Sequence, residues 1–157
     1  MKGKKVTETS IENQVYHVFP NDLNAKGTMF GGALVAEMDK LCAIVAERHS
    51  GKVCVTASFD AVDFKAPAIQ GDILIFKVAV NRAWKTSMEI GAKVYAERPR
   101  KGETVHIISA YATFVALDEN HKPTEVPPLI CDSESEKRRF EEAGMRRNIR
   151  MTRKNMS

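Results

Sequence analysis

No apolar run in the sequence approaches the 18 or more residues of a membrane-spanning helix. Its start, MKGKKVTETS, has a basic stretch with no apolar stretch behind it, so no secretion signal is legible there. A cytoplasmic protein without a membrane partner is expected. Cysteine is scarce: Cys42, Cys54 and Cys131 are odd in number and form no CxxC pair, which argues against a disulfide framework. His17, His49, His106 and His121 are scattered without HExxH or Cys/His spacing, so no metal is expected. Neither GxxxxGK(S/T) nor GxGxxG occurs, and nucleotide-phosphate binding of those kinds is unsupported.

What is present fits one domain. At 157 residues and 17.5 kDa the chain can bury roughly two thirds of its unfolded surface around one core. The formal net charge is +4 and the pI about 9.0, with the basic excess in the last twenty residues, which allows an anionic partner. No internal repeat or low-complexity block appears.

Residues 1–10 are polar and read as a flexible N-terminus. NQVYHVF (13–19) reads as a short strand ended by Pro20 and the loop NDLNAKGT. From about Gly32 to His49, Leu34, Met38, Leu41 and Val45 recur with helical period as one apolar stripe, closed by Ser50 and Gly51. Four β-rich segments follow: KVCVTASFDAVDFKA, GDILIFKVAVNRAW, SMEIGAKVYAE and ETVHIISAYATFVALD. In the third, Met88, Ile90, Ala92 and Val94 share one face.

One long helix with an antiparallel sheet of about five strands makes an α+β domain over residues 11–131. Val35, Cys42, Ala43 and Ala46 extend the helix's apolar surface, so the sheet must wrap it or a second subunit must cover the rest. Residues 132–157 read as a short C-terminal helix followed by a basic, partly ordered tail. Ser133 or Ser135 before Glu136 supplies the N-cap, and the helix runs to about Ala143.

Within GTMFGGALVAEMD (27–39), a stretch that opens on glycines and then turns apolar and helix-forming places a carboxylate, Asp39, directly after Met38. Aspartate inside a helix costs up to about 0.7 kcal/mol against alanine, and burying an unpaired carboxylate costs far more. On a helical wheel Asp39 falls at the edge of the stripe, beside Val35, Cys42 and Ala46. It either faces solvent, pairs with Lys40 or a neighbouring strand, or is a carboxylate held between core and cleft as base or nucleophile. Gly27, Gly31 and Gly32 permit close backbone approach before the helix, whose first N–H groups have no intrahelical partner and lie at the positive end of its dipole. Such an end can hold an oxyanion. A glycine pair alone marks a plain turn as readily.

GTMFGGALVAEMD, followed by VTASFDAVDFKAPAIQGD and KTSMEI, resembles the acyl-CoA thioesterase (acyl-CoA hydrolase) branch of the hotdog-fold superfamily, over roughly residues 12–130. The resemblance implies a central helix wrapped by an antiparallel sheet, and hydrolysis of acyl-CoA to free fatty acid and CoA. It also implies a site formed where two units meet. Asn24 of the loop NDLNAKGTMFGG would position water or the carbonyl, and Asp39 of the other unit's helix would be general base or nucleophile. Thr56 of VTAS would border them, and the Gly31 or Gly32 amides would face the oxyanion.

By the same resemblance Phe64, Lys65, Lys85, Thr86 and Ser87 flank the CoA channel, although each equally reads as strand or hairpin surface. No cofactor is implied, because CoA is part of substrate and product. The partners implied are acyl-CoA and further copies of the chain, at least a dimer, with a trimer of dimers common in such enzymes. Phe30 stands where many relatives have histidine, so a mechanism needing imidazole there is excluded.

Two rivals remain. A hotdog dehydratase would place a histidine in the loop before the helix, and residues 20–33 contain none. The basic segments EKRRF and MRRNIRMTRK allow a non-catalytic acyl-CoA sensor or a nucleic-acid-binding module, yet no helix-turn-helix precedes the domain. A solvated face or a subunit contact accounts for them equally, and no nucleic-acid partner is expected. Acyl-chain length is not legible, because it depends on the depth of a pocket lined by residues such as Met29, Phe30, Val35 and Met38.

Overall fold

The computed structural model of the chain describes residues 1–157. Along the chain lie β1 (Lys4–Lys5), α1 (Val6–Thr9), β2 (Ile11–His17), α2 (Gly31–Ser50), β3 (Val53–Phe64), β4 (Ile73–Ala83), β5 (Ser87–Arg98), β6 (Glu103–Leu117), β7 (Leu129–Ile130) and α3 (Glu134–Met156). Five strands form one antiparallel sheet in the order β2-β4-β5-β6-β3, and β1 pairs with β7 in parallel. No helix is long and apolar enough to cross a membrane.

The stripe Leu34, Met38, Leu41 and Val45 is buried against inward-pointing sheet residues such as Phe76, Ile90 and Phe114, in one continuous core. Burying each such side chain contributes roughly 2 kcal/mol. Gly51, at φ +68°, closes α2 in the left-handed conformation that glycine adopts without a Cβ clash. On β5 Met88, Ile90, Ala92 and Val94 are all buried, as their alternation requires. The result is the hotdog architecture: an α+β fold with one central helix wrapped by a five-stranded sheet. Ile44 on α2 remains exposed, so the wrap is incomplete.

The two termini differ from expectation. Residues 1–10 are tied down: β1 pairs with β7, the Lys4 amide donates to the Pro128 carbonyl at 3.0 Å, and Val6 and Thr9 are buried. A polar segment can be held this way because backbone pairing needs no apolar side chains.

The C-terminal helix does not stop near Ala143. Ser133 does cap it, accepting from the Glu136 amide, but α3 continues to Met156. Gly144 sits inside it because a Cβ there would stand 2.5 Å from Nη1 of Arg82. Beyond that glycine, Arg146 Nη2 donates to Glu89 Oε1 at 2.7 Å, and Arg150 Nη1 donates to Asp60 Oδ2 at 2.5 Å. Glu89 lies on the sheet face opposite Met88 and Ile90, so α3 crosses the outer face from β4, past β5 and β6, to β3. The arginines that read as a solvated tail are the counter-ions of that face.

Candidate active site

The loop before α2 is built around one side chain. Asn24 Oδ1 accepts from the amides of Lys26 (2.9 Å) and Thr28 (3.3 Å), while its Nδ2 donates to Thr28 Oγ1 at 2.9 Å. Gly27, at φ +80°, completes the turn, and its amide donates to the Asn24 carbonyl at 3.0 Å. The Met29 amide then donates to the Ala68 carbonyl at 2.8 Å, clamping the loop to the β3–β4 connection. Asn24 is thereby held rigid, with one amide hydrogen left to offer.

Phe30 precedes α2 as its N-cap and supplies no side-chain acceptor, so the helix's first amides, at Gly31 and Gly32, have no cap to satisfy them. The Phe64 ring lies against Gly31, where a Cβ would come within 3.1 Å of Cζ, while the space around Gly32 is open. Asn24, Gly31, Phe64, Lys65 and Ile107 line an open cleft of about 450 Å³ at this end of the helix.

Asp39 lies eight residues further along α2, a rise of about 12 Å. It is half-buried and accepts from Thr56 Oγ1 at 2.7 Å, bridging α2 to the edge strand β3. Lys40 turns instead to Glu37, at 3.8 Å, so its pairing with Asp39 does not occur. One turn on, Cys42 is buried, and burial with the nearby Asp39 charge pushes its thiol up to about 12. No three His, Cys, Asp or Glu side chains gather in a way that could hold a metal ion.

The CoA-contact candidates fall into two groups. Phe64 and Lys65 lie at the Asn24 end, where Lys65 forms an ion pair with Asp63. Lys85, Thr86 and Ser87 form the β4–β5 hairpin; the carbonyls of the first two accept from Val126 and Ala116, and Ser87 is in register with Val115, which faces Val55. That hairpin therefore lies at the Thr56 end. Thr56 and Phe64 are about 25 Å apart along an extended strand. Within one chain, the structure brings Asp39 to Thr56 and Asn24 to Gly31 and Phe64, and it does not bring the two groups together.

Of the residues named for an acyl pocket, Met29 and Met38 are core, Val35 is half-buried and Phe30 is exposed. Sequence reasoning passed over Asp60 and Arg150. The signal was present as an acidic residue inside the strand SFDAVDF and an arginine at a regular helical interval, but nothing in the chain paired them.

Residues 26–103 match the family model of the thioesterase superfamily. Over 156 residues the chain is 38% identical to YkhA of Bacillus subtilis, an uncharacterized acyl-CoA thioester hydrolase, covering 99% of this chain and 87% of that one. The acyl-CoA hydrolase of Staphylococcus aureus, solved with butyryl coenzyme A, coenzyme A and coenzyme A disulfide, superposes with TM-score 0.91 at 36% identity, covering 98% of this chain and 93% of that one. The same hydrolase has been solved with an asparagine, an aspartate and a threonine each replaced by alanine. An apo-hexameric acyl-CoA thioesterase superposes with TM-score 0.95 at 35% identity over 100% of both chains. Fold and family model together define a hotdog-fold thioesterase. The chain belongs to the acyl-CoA thioester hydrolases, a family of enzymes.

Proposed function

We propose that the protein hydrolyses acyl-CoA to free fatty acid and CoA at a site shared between two copies of the chain. The observation that carries this is the Asp39–Thr56 hydrogen bond of 2.7 Å, at the far end of the sheet from the open α2 amides and Asn24. A thioester hydrolase needs a base and oxyanion donors within one substrate's reach. One chain holds them apart, whereas two chains related by a two-fold axis near residue 60 of β3 bring Thr56 of each beside Phe64 of the other. β3 is suited to such pairing: it is an unpaired sheet edge that exposes Val53, Val55 and Phe64.

Thr56 occupies Asp39 Oδ1 and leaves Oδ2 to take a proton from water. The water oxygen attacks the thioester carbonyl while Asp39 accepts its proton, and the negative charge passes to the carbonyl oxygen. The Gly31 and Gly32 amides of the second copy receive that oxyanion, one such donor being worth about 3 kcal/mol of barrier. The remaining Asn24 Nδ2 hydrogen orients the carbonyl or the water. Collapse breaks the C–S bond, and the CoA thiolate leaves and is protonated. No cofactor is needed. Phe64 and Lys65 of one copy and Lys85, Thr86 and Ser87 of the other flank the CoA chain.

Support comes from the Staphylococcus aureus enzyme, whose three substituted positions follow in the same order and with the same spacing as Asn24, Asp39 and Thr56. The hexameric relative supports assembly as three such dimers. Three free cysteines fit a reducing, cytoplasmic setting. Arg146 and Arg150 are occupied by Glu89 and Asp60, which favours a structural use of the basic helix over nucleic-acid binding. The test is thiol release from a panel of acyl-CoAs: the protein turns them over and Asp39→Ala, still folded, does not. Full activity in Asp39→Ala sinks the assignment.

A further inference from the structure

The middle of β3 is irregular in a way that the sheet does not require. Asp60 pairs with Tyr111 and Asp63 with Ser109, so β3 carries one extra residue here. Ala61 adopts φ +48°, in the left-handed region that residues with a Cβ rarely enter. Such an outlier persists only where its surroundings hold it. Here the neighbouring contact comes from the C-terminal helix: Arg150 Nη1 donates to Asp60 Oδ2 at 2.5 Å, across 90 residues of sequence, with both side chains about three-quarters buried. Asp60 stands midway between Thr56 and Phe64.

The helix is itself well anchored. Four residues before Arg150, Arg146 is fixed by both oxygens of the fully buried Glu89 at 2.7 and 3.1 Å, and its guanidinium lies 3.6 Å from the centre of the Tyr111 ring. Tyr111 is the residue in register with Asp60. Arg147 lies over Trp84, 4.6 Å from its ring, next to the Lys85–Ser87 hairpin. α3 thus grips the outer face at three consecutive points, and the last grip falls on the bulge.

We infer that Arg150 and Asp60 are positioning residues for the hydrolysis, holding the Ala61 bulge of β3 so that Thr56 with Asp39 on one copy and Phe64 with the α2 amides on the other meet at the right separation. This rests on the shared-site reading above. Neither side chain touches substrate. A bulge on an edge strand re-aims the residues on either side of it, and a shift of about 1 Å between base and oxyanion donors is enough to cost as much as 100-fold in rate. The helix that looked like a solvated basic tail becomes a strap that sets the register of the reacting groups from behind the sheet.

The experiment measures kcat and KM for acyl-CoA hydrolysis, together with melting temperature and oligomer mass, in the full-length protein. Asp39→Ala is the reference. Arg150→Ala and Asp60→Asn are expected to lower kcat about tenfold, with KM changed less than threefold and the assembly intact. Turnover returns when the charges are exchanged (Asp60→Arg with Arg150→Asp), or when Ala61→Gly, which relieves the left-handed conformation, is added to Arg150→Ala. The inference is overturned if Arg150→Ala and Asp60→Asn turn over like the wild type, or if neither the exchange nor Ala61→Gly raises the lost kcat. With Asp39→Ala dead, such a result removes the strap alone. An active Asp39→Ala, or a wild type that hydrolyses no acyl-CoA, removes the shared-site mechanism and the strap together.

Discussion

Thr56 Oγ1 donates to Asp39 Oδ1 at 2.7 Å, joining the edge strand to the central helix at a half-buried carboxylate beside Val35 and Cys42. In the proposed mechanism this bond orients the carboxylate and leaves its second oxygen for the attacking water. Thr56→Val keeps the shape and removes the hydroxyl. It is expected to lower kcat by about tenfold, whereas Asp39→Asn lowers it by about 100-fold or more, the usual size of a general-base contribution. Steady-state thiol release reads both, and equal activity of Thr56→Val and the wild type would show that the hydroxyl does not orient the base.

Cys42 offers a probe of the same region. Its thiol is buried one turn from Asp39 and pushed up to about 12, so the thiolate that reacts with disulfide reagents is almost absent at neutral pH. Cys54 is buried and also raised by burial, while Cys131 is half-buried. Titration of the native protein with a chromogenic disulfide should modify Cys131 first and leave Cys42 untouched until denaturant is added. Rapid modification of Cys42 in the native state contradicts its burial.

Glu89 and Arg146 form the more deeply buried of the two ion pairs that join the C-terminal helix to the sheet. Glu89 is fully buried and also accepts from Asn81 Nδ2 at 3.0 Å, so Arg146→Ala leaves a carboxylate inside the protein without its counter-ion. Breaking a buried pair on one side costs about 3 kcal/mol. Replacing both partners, as in Glu89→Leu with Arg146→Leu, should recover most of it, because no charge is then stranded. Urea unfolding checks the order, and a single variant as stable as the double one refutes it.

How legible these features are follows from where their energy comes from. The stripe of α2 and the alternation of β5 are periodic, so each names its buried face from local spacing alone. α3 is the reverse case: its outward composition is Arg, Lys, Asn and Met, and what continues the helix past Gly144 is contact with Glu89 and Asp60, 57 and 90 residues away. No local window contains those carboxylates. The same holds for Lys4 and Lys5, whose pairing with Leu129 and Ile130 is purely backbone. Asp39 stood out in the sequence as a misplaced charge; no local spacing joins it to Thr56, 17 residues on, and only the family resemblance placed the two side by side before the strand supplied the bond.

His49 ties stability to pH. The ring is buried, its Nε2–H donates to the Pro127 carbonyl at 2.7 Å, and its Nδ1 has no partner. Burial pushes its pKa below the ordinary 6.5, with the Pro127 bond opposing part of that. The folded protein therefore keeps His49 neutral where the unfolded chain has begun to take up a proton. Stability from this residue is present above pH 6.5 and falls as pH drops below it towards the lowered folded value. Urea midpoints should decrease from pH 7.5 to 5.5, and His49→Gln should flatten that slope.

A site shared between two copies of the chain, as proposed, makes a demand that no single variant meets. Asn24→Ala and Asp39→Ala should each be nearly inactive as pure assemblies, because each removes its group from every site. When the two are unfolded together and refolded, half of the dimers carry one chain of each kind. In such a dimer one site takes Asn24 from the Asp39→Ala chain and Asp39 from the Asn24→Ala chain, and is wholly intact, while the other lacks both. About a quarter of wild-type turnover should return on random mixing, since half the dimers regain one of their two sites. A site contained within one chain predicts no recovery at any mixing ratio, because every chain then carries a lesion in its own site.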